Sequence, residues 1–245
     1  MKANRLFMTA IFSLIGVFAV AQPWMMRPQG PPNEFSAMEG TSVLNYNLQM
    51  DRDIHSRAGY GPAFYIFPDS KLDNNQALEL AEKLDLVNII KEYGGRIMVV
   101  NPSSDKWQDQ DLENFRRLIG MGGAPTNVKV IGIGSGATFV NRQLAATDLT
   151  GVIAGIVSID GDPGKICKLP VPAFIGGKNA AKAAKPYQTT SDSAPADPLQ
   201  KVVVNTDKKA SLETLFAEAW DKVLSANYRY NNLYRTFYMS RGIDN

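Results

Sequence analysis

The chain has 245 residues, of which 44% are hydrophobic and 20% charged, so it is long enough to bury a core without disulfides. Its 26 basic and 24 acidic residues give a net charge of +2, which falls to zero when Lys2 and Arg5 are removed with an N-terminal leader. A neutral chain predicts no electrostatic attraction to nucleic acid or to an anionic membrane. A single cysteine, Cys167, and a single histidine, His55, exclude an internal disulfide and a metal site built from several such side chains. We expect no metal and no cofactor.

The first 21 residues have the pattern of a secretory signal peptide. Basic residues open the chain, an apolar run occupies 6–20, and a small-x-small sequence at 19–21 precedes a predicted cleavage point at Gln22. The apolar run is shorter than the roughly 20 residues that a membrane-spanning helix needs. We therefore expect an exported protein, periplasmic or secreted, with no membrane span after cleavage.

The elements of an α/β domain follow in chain order. Residues 22–42 are rich in proline and predict an extended lead-in, and the domain occupies 43–245. Continuous apolar runs predict buried strands at 63–67, 96–100, 128–131, 152–159 and 171–175. Apolar residues at helical spacing predict helices at 76–93, 109–120, 138–146 and 208–226. This alternation is typical of a parallel sheet with helices on both faces.

The last third of the chain changes character twice. Residues 178–205 are mostly polar or alanine without a period, and we expect an exposed excursion there. A helix and an aromatic stretch occupy 206–245, and the aromatic residues are interpreted either as a cap packed on the sheet or as a platform for a sugar or aromatic ligand. No closing helix or strand follows them, which indicates a sheet that is incomplete at its C-terminal end.

The sharpest motif is the glycine turn Gly-Ile-Gly-Ser-Gly-Ala at 132–137, which ends a strand and opens a helix. Gly132, Gly134 and Ala137 match the dinucleotide-binding pattern G-x-G-x-x-A. However, the turn follows the third strand of the series. The next acidic strand-end residue, Asp160, lies 28 positions after Gly132, where about 20 are expected. Dinucleotide binding therefore stays a minor alternative.

The same turn can also be aligned with the nucleophile elbow G-x-S-x-G in two frames, and each departs from it at one or more positions. With Gly132 and Gly136 as the flanking glycines, Gly134 stands at the nucleophile position. With Ser135 as the nucleophile, Ile133 occupies a flank that has to be small. The first frame is sterically better, has no nucleophile, and favours a tight turn without chemistry. It places Ser135 in the first helical turn, where its hydroxyl can bond to free backbone N–H groups.

The order of elements and this turn resemble the α/β-hydrolase superfamily. More narrowly, they resemble exported esterases of the polyhydroxybutyrate-depolymerase type, whose elbow runs Gly-Leu-Ser-Ala-Gly-Gly. The resemblance covers about residues 60–178, with weaker similarity at 208–226 and 236–238. It implies a three-layer sandwich with a mostly parallel sheet, a serine nucleophile, an oxyanion hole and an acid–histidine pair.

The chain departs from that family at the nucleophile and at the oxyanion loop. Gly134 stands where the resemblance places the serine. After the strand at 63–67, where the family has His-Gly and an oxyanion loop, this chain has Pro68-Asp69-Ser70.

The acid and the base are also out of place. Lys178-Asn179 follow the fifth predicted strand, where the family carries its acid, and only Asp160 or Asp162 after the preceding strand could replace it. The family's histidine follows the acid in the chain, whereas His55 precedes the first core strand.

These departures predict an exported α/β-hydrolase-like domain without a working triad. The candidate site is the elbow of Gly132, Gly134 and Gly136, with Ser135 and Asp160 as candidate catalytic residues. We interpret the domain as a non-catalytic binding or structural part of a larger hydrolase. Its partner would be a downstream hydrolase module or another chain, and its ligand a small ester or carbohydrate-like molecule. The alternative is the N-terminal part of an active serine esterase, with Ser135 as nucleophile and the histidine supplied by sequence beyond this chain.

Overall fold

The computed structural model describes residues 33–38, 41–47, 62–93, 96–121, 127–192 and 201–225. The predicted signal peptide, His55 and the aromatic stretch beyond residue 225 lie outside the described residues, so the predictions made for them stay predictions.

An eight-stranded sheet with the order β1-β2-β4-β3-β5-β6-β7-β8 forms the middle layer. Its strands are β1 (Asn33–Met38), β2 (Thr41–Asn47), β3 (Ala63–Phe67), β4 (Arg96–Val100), β5 (Val128–Ile133), β6 (Ile153–Ile159), β7 (Ala173–Gly176) and β8 (Val202–Asn205). Six neighbouring strands of the sheet are parallel, namely β4, β3, β5, β6, β7 and β8. Strand β1 pairs with β2, and β2 pairs with β4, in the antiparallel sense. The predicted mostly parallel sheet is confirmed.

Six helices in the described part of the chain connect or flank these strands. They are α1 (Asn74–Lys83), α2 (Leu86–Tyr93), α3 (Asp109–Met121), α4 (Ser135–Phe139), α5 (Ala180–Asp192) and α6 (Leu212–Ala219). Helix α4 continues as a π-helical turn over Val140–Leu144, and α6 continues as another over Trp220–Leu224. A 3-10 turn at Asp148–Gly151 leads into β6. None of the helices within the described ranges is long and apolar enough to cross a membrane.

Two apolar layers cover the two faces of the sheet. One joins alternate strand residues such as Tyr65 and Val130 to α3, α4 and α5. The other joins their neighbours, such as Phe64 and Ile131, to α1, α2 and α6. Since both faces are covered, the central strands are apolar at nearly every position, and this explains why they could be recognised in the sequence.

The predicted helix at 76–93 is two helices. Helix α1 begins at a capping box in which the Asp73 carboxylate accepts the Gln76 N–H and the Gln76 side chain accepts the Asp73 N–H. The helix ends near Leu84, and Asp85 has a left-handed φ of 54° before α2 begins. The apolar spacing continues across this break, since both helices face the same layer, and it therefore concealed the turn.

The described part of the expected exposed excursion at 178–205 is instead regular structure. Helix α5 and strand β8 lie within it, and β8 adds a sixth parallel strand to the sheet, while 193–200 lie outside the described residues. Helix α5 buries Ala180, Ala183, Ala184 and Tyr187 against the first apolar layer. Three of these are alanines, which carry little hydrophobic signal but allow close packing, and the helix period was therefore not visible.

The proline-rich lead-in at 22–42 was also assigned too far along the chain. Strand β1 begins at Asn33, immediately after the last proline of that region at position 32. Proline disfavours a strand only where its ring would stand in the hydrogen-bonded ladder, so the segment after it is free to pair.

Candidate functional site

The glycine turn lies where β5 meets α4. Gly134 is the residue before the helix, with φ 56° and ψ −116°. An L-residue with a side chain reaches this conformation only with strain, whereas glycine adopts it readily. The apex of the turn is therefore Gly134, as the frame with Gly132 and Gly136 as flanks predicts.

Both flanking positions are too crowded for a side chain. A Cβ on Gly132 would lie 2.6 Å from the Ala137 Cα, and a Cβ on Gly136 would lie 2.1 Å from the Phe67 backbone oxygen. This crowding arises because β5 and α4 approach each other and the end of β3 closely. The sequence argument that the flanks have to be small agrees with this geometry.

The Asp69 side chain fills the space in front of the apex. A Cβ on Gly134 would lie 2.2 Å from Asp69 Oδ1. The same Oδ1 accepts the backbone N–H of Ser135 at 2.6 Å, a short charge-assisted hydrogen bond. Asp69 was noted in the sequence only as a departure from the oxyanion loop. The signal that could have identified it is its place directly after β3, the strand beside β5.

The segment that carries Asp69 is held by an aromatic group. Trp107 Nε1 donates to the Pro68 backbone oxygen at 3.1 Å. Its ring stacks on Phe139 with centroids 4.8 Å apart, and Phe67 packs against both rings. The residue before Asp69 is thus held in place by this aromatic group.

Ser135 lies in the first turn of α4, as expected, but its hydroxyl does not bond to a backbone N–H group. The side chain is exposed, and Oγ donates to the backbone oxygen of Asp69 instead of accepting a backbone N–H. The correction has a simple cause. The free Ser135 N–H at the start of the helix is already taken by the Asp69 carboxylate, so the hydroxyl turns to the adjacent carbonyl.

Asp160 makes different contacts, although it directly follows Ile159, whose backbone oxygen accepts the Gly134 N–H at 2.9 Å. It follows β6 with a left-handed φ of 58°, and its Oδ1 accepts the Lys178 N–H at 2.9 Å. A Cβ on Gly177 would lie 2.2 Å from that oxygen. Asp160 therefore closes the turn after β7 as Asp69 closes the turn after β5.

Asp162 has structural partners of its own. Its Oδ2 lies 3.1 Å from the Arg142 guanidinium, and its Oδ1 accepts from Asn179 Nδ2 at 3.1 Å. The structure does not join Asp160 or Asp162 to Ser135 by a hydrogen bond. Among the described residues, no three His, Cys, Asp or Glu side chains are grouped so that they could hold a metal ion.

Comparison with known proteins identifies the fold. No protein-family model and no curated protein matches the chain. MGS-M1, an α/β hydrolase from a Medee basin deep-sea metagenome library, superposes with a TM-score of 0.50 at 15% identity, covering 86% of this chain and 97% of its own. A Lactobacillus plantarum WCFS1 protein assigned as a carboxylesterase gives a TM-score of 0.50 at 12% identity, with the same coverage of both chains.

The chain has the α/β-hydrolase fold. In this fold the nucleophile stands at the apex of the turn between strand and helix. One oxyanion donor is the N–H of the residue that follows it. In the present chain the apex is Gly134, and the N–H of the following residue, Ser135, donates to the carboxylate of Asp69. The elbow is thus present as backbone geometry, while its apex has no nucleophilic side chain.

Proposed function

We propose that this chain is an exported, non-catalytic α/β-hydrolase-fold domain, a pseudoenzyme that binds or supports a hydrolase module downstream or on another chain. The observation that carries this proposal is the occupation of the elbow by Asp69. Its carboxylate lies in the space that a side chain on Gly134 would need, and it takes the Ser135 N–H.

Ester hydrolysis by a serine requires a nucleophile with a base beside it and donors aimed at the developing oxyanion. Gly134 supplies no nucleophile. The Ser135 hydroxyl donates to a backbone carbonyl, which cannot take its proton. A carboxylate at the oxyanion donor also places negative charge where the transition state would become negative, and this opposes catalysis.

The test is labelling of the purified full chain with a fluorophosphonate probe, together with hydrolysis of a short-chain nitrophenyl ester. We expect no labelling and the same background hydrolysis for the full chain and for Ser135→Ala. Stoichiometric labelling that is lost in Ser135→Ala would replace this proposal with the esterase alternative, in which Ser135 is the nucleophile.

Export is a separate part of the proposal, supported by the basic start, the apolar run at 6–20 and the small residues at 19–21. Mass spectrometry of the protein recovered outside the cytoplasm should show Gln22 as the first residue. Recovery of a chain that still begins with Met1 would contradict export by cleavage.

A further inference from the structure

One stretch of the surface is basic although the chain as a whole is nearly neutral. Between Pro163 and Thr190 the sequence contains five lysines and no acidic residue. All five are exposed, and none takes part in a salt bridge with the described residues. We call this set the lysine face; its members are Lys165, Lys168, Lys178, Lys182 and Lys185.

The fold brings the members of the lysine face together from two segments. The loop at 162–168 runs alongside α5, because Asn179 Nδ2 donates to Asp162 Oδ1 at 3.1 Å and the Cys167 N–H donates to the Pro186 oxygen at 3.4 Å. Lys165 lies on the loop between these two connections.

Three lysines lie on or just before the helix beside that loop. Lys178 stands in the turn before α5, and Lys182 and Lys185 are three residues apart on the helix, the spacing that places side chains on one side of it. The buried alanines and Tyr187 of α5 occupy the opposite side. The loop and the helix therefore present their charges to the same region of solvent.

An apolar side chain stands within this charged region. Ile166, between Lys165 and Cys167, is 65% exposed, and it is the one large hydrophobic side chain that is mostly in solvent in the described part of the chain. A single exposed isoleucine is ordinary on a protein surface. Its position inside a group of lysines means that a surface attracted by the lysines would also contact Ile166.

We propose that the lysine face binds the headgroups of anionic phospholipids at a membrane surface, with Ile166 entering the interface. Charge complementarity supports this occupant, since juxtaposed lysines gain about 1 kcal/mol each near an anionic bilayer. The residue type supports it too. Lysine is depleted in protein–protein interfaces, and arginine is the usual choice for geometrically specific contacts with carboxylates and phosphates. Five lysines suit diffuse attraction to headgroups, while Arg142, which contacts the start of the loop, is paired with Asp162. The neutral net charge predicted no such attraction, because a sum over the sequence does not record where charges cluster.

The experiment measures co-sedimentation of the full chain with phosphatidylcholine vesicles, with and without phosphatidylglycerol. We expect binding only to the anionic vesicles, and its loss at about 1 M salt, where the Debye length is roughly 3 Å. The variant Lys182→Gln/Lys185→Gln removes two charges from the lysine face. At about 1 kcal/mol per lysine it should weaken partitioning about thirtyfold.

The matched control is Lys208→Gln/Lys209→Gln, which removes two exposed lysines from the turn after β8. It should bind like the unaltered chain. Any affinity contributed by the apolar residues 6–20 is common to all these proteins and cancels in the comparison. Equal weakening in the two double variants, or no binding to anionic vesicles at low salt, would overturn the proposal.

Ile166→Ser tests the apolar part of the contact. Loss of the isoleucine should weaken binding about tenfold at each salt concentration at which binding is measurable, whereas loss of lysines should flatten the salt dependence. Unchanged partitioning of Ile166→Ser would overturn the insertion of Ile166. Binding to immobilised polyglutamate without binding to anionic vesicles would assign the lysine face to an acidic protein and overturn the lipid proposal.

Discussion

Asp69 and Gly134 are mutually dependent, because a Cβ on residue 134 would lie 2.2 Å from Asp69 Oδ1 and 3.0 Å from the Asp69 Cβ. A side chain at the apex of the turn and the aspartate in its observed place exclude each other. A side chain at the apex of this turn would therefore require changes at two positions, residue 134 after β5 and residue 69 after the neighbouring strand β3.

This dependence predicts strong coupling between two substitutions. Gly134→Ala should destabilise the chain by about 3 kcal/mol, from the unfavourable backbone conformation and from overpacking against Asp69. In an Asp69→Gly background about half of that cost should disappear, because only the backbone strain remains. Urea unfolding of the four proteins gives the coupling free energy. Gly151→Ala is the control, since a Cβ there meets only the end of the Leu169 side chain at 3.1 Å. Additive effects would show that Asp69 does not restrict residue 134.

Ser135→Ala removes the hydrogen bond to the Asp69 carbonyl and should lower the free energy of unfolding by about 1 kcal/mol or less. Ser70→Ala, an exposed serine on the same loop, should change it by less than about 0.5 kcal/mol. Urea midpoints of the two variants make the comparison. A loss of several kcal/mol in Ser135→Ala would mean that the hydroxyl has buried partners that this geometry does not include.

Asp160 should act through the backbone. Its φ of 58° suits asparagine better than alanine, and asparagine keeps an oxygen that can accept the Lys178 N–H. Asp160→Asn should therefore cost less than about 1 kcal/mol, and Asp160→Ala about 2 kcal/mol. Thermal unfolding measures both. Equal losses in the two variants would indicate that the negative charge, and not the turn, is what Asp160 contributes.

Lys129 makes stability depend on pH. It is fully buried in β5, and its Nζ donates to the Leu224 oxygen at the end of the last helix at 2.6 Å. Burial lowers the pKa of this amine from 10.5 to about 7. Above pH 7 the unfolded chain binds more protons at this group than the folded chain, so stability rises with pH until the amine also titrates in the unfolded chain.

The rise should be about 1 kcal/mol per pH unit between pH 7 and pH 9. The free energy of urea unfolding at these two pH values should differ less in Lys129→Met than in the unaltered chain. Titration of the Cys167 thiol in the unfolded chain contributes equally to both proteins and cancels in their comparison. Parallel pH profiles for the two proteins would be inconsistent with a buried amine of lowered pKa.

Cys167 should be inert in the folded chain. It is 2% exposed, its thiol donates to the Leu169 oxygen at 3.0 Å, and burial raises the pKa of the thiol to about 12. Since the thiolate is the reactive form, iodoacetamide at pH 8 should label the chain only in urea. The double variant Ile166→Cys/Cys167→Ala, with its thiol at the neighbouring exposed position, should be labelled without urea. Rapid labelling of the unaltered folded chain would refute this burial.

Much of the central layer could be predicted from residues alone. Strands β3 to β7 are buried on both faces, and their continuous apolar runs are a local property of the sequence. That Gly134 stands at the apex of the glycine turn could be predicted as well. The residues that flank the apex have to be small, and Ile133 is too bulky to be one of them, so the motif alone is enough for this steric argument. The signal-peptide pattern is equally local, and it stays a prediction here.

Other features depended on contacts between distant residues and were decided by the tertiary structure. Helix α5 and strand β8 gain their stability from packing on β7, so a stretch of alanines and polar residues carried little sign of them. Asp69 and Gly134 are 65 positions apart in the sequence, and only the pairing of β3 with β5 brings the carboxylate to the apex. The lysine face has the same origin, since a net charge of only +2 follows from composition while the clustering of charge follows from the docking of a loop on a helix. The sequence by itself determined which central strands are buried and what the turn can contain. The tertiary structure decided which side chain occupies the space in front of that turn, because that depends on which strands are neighbours.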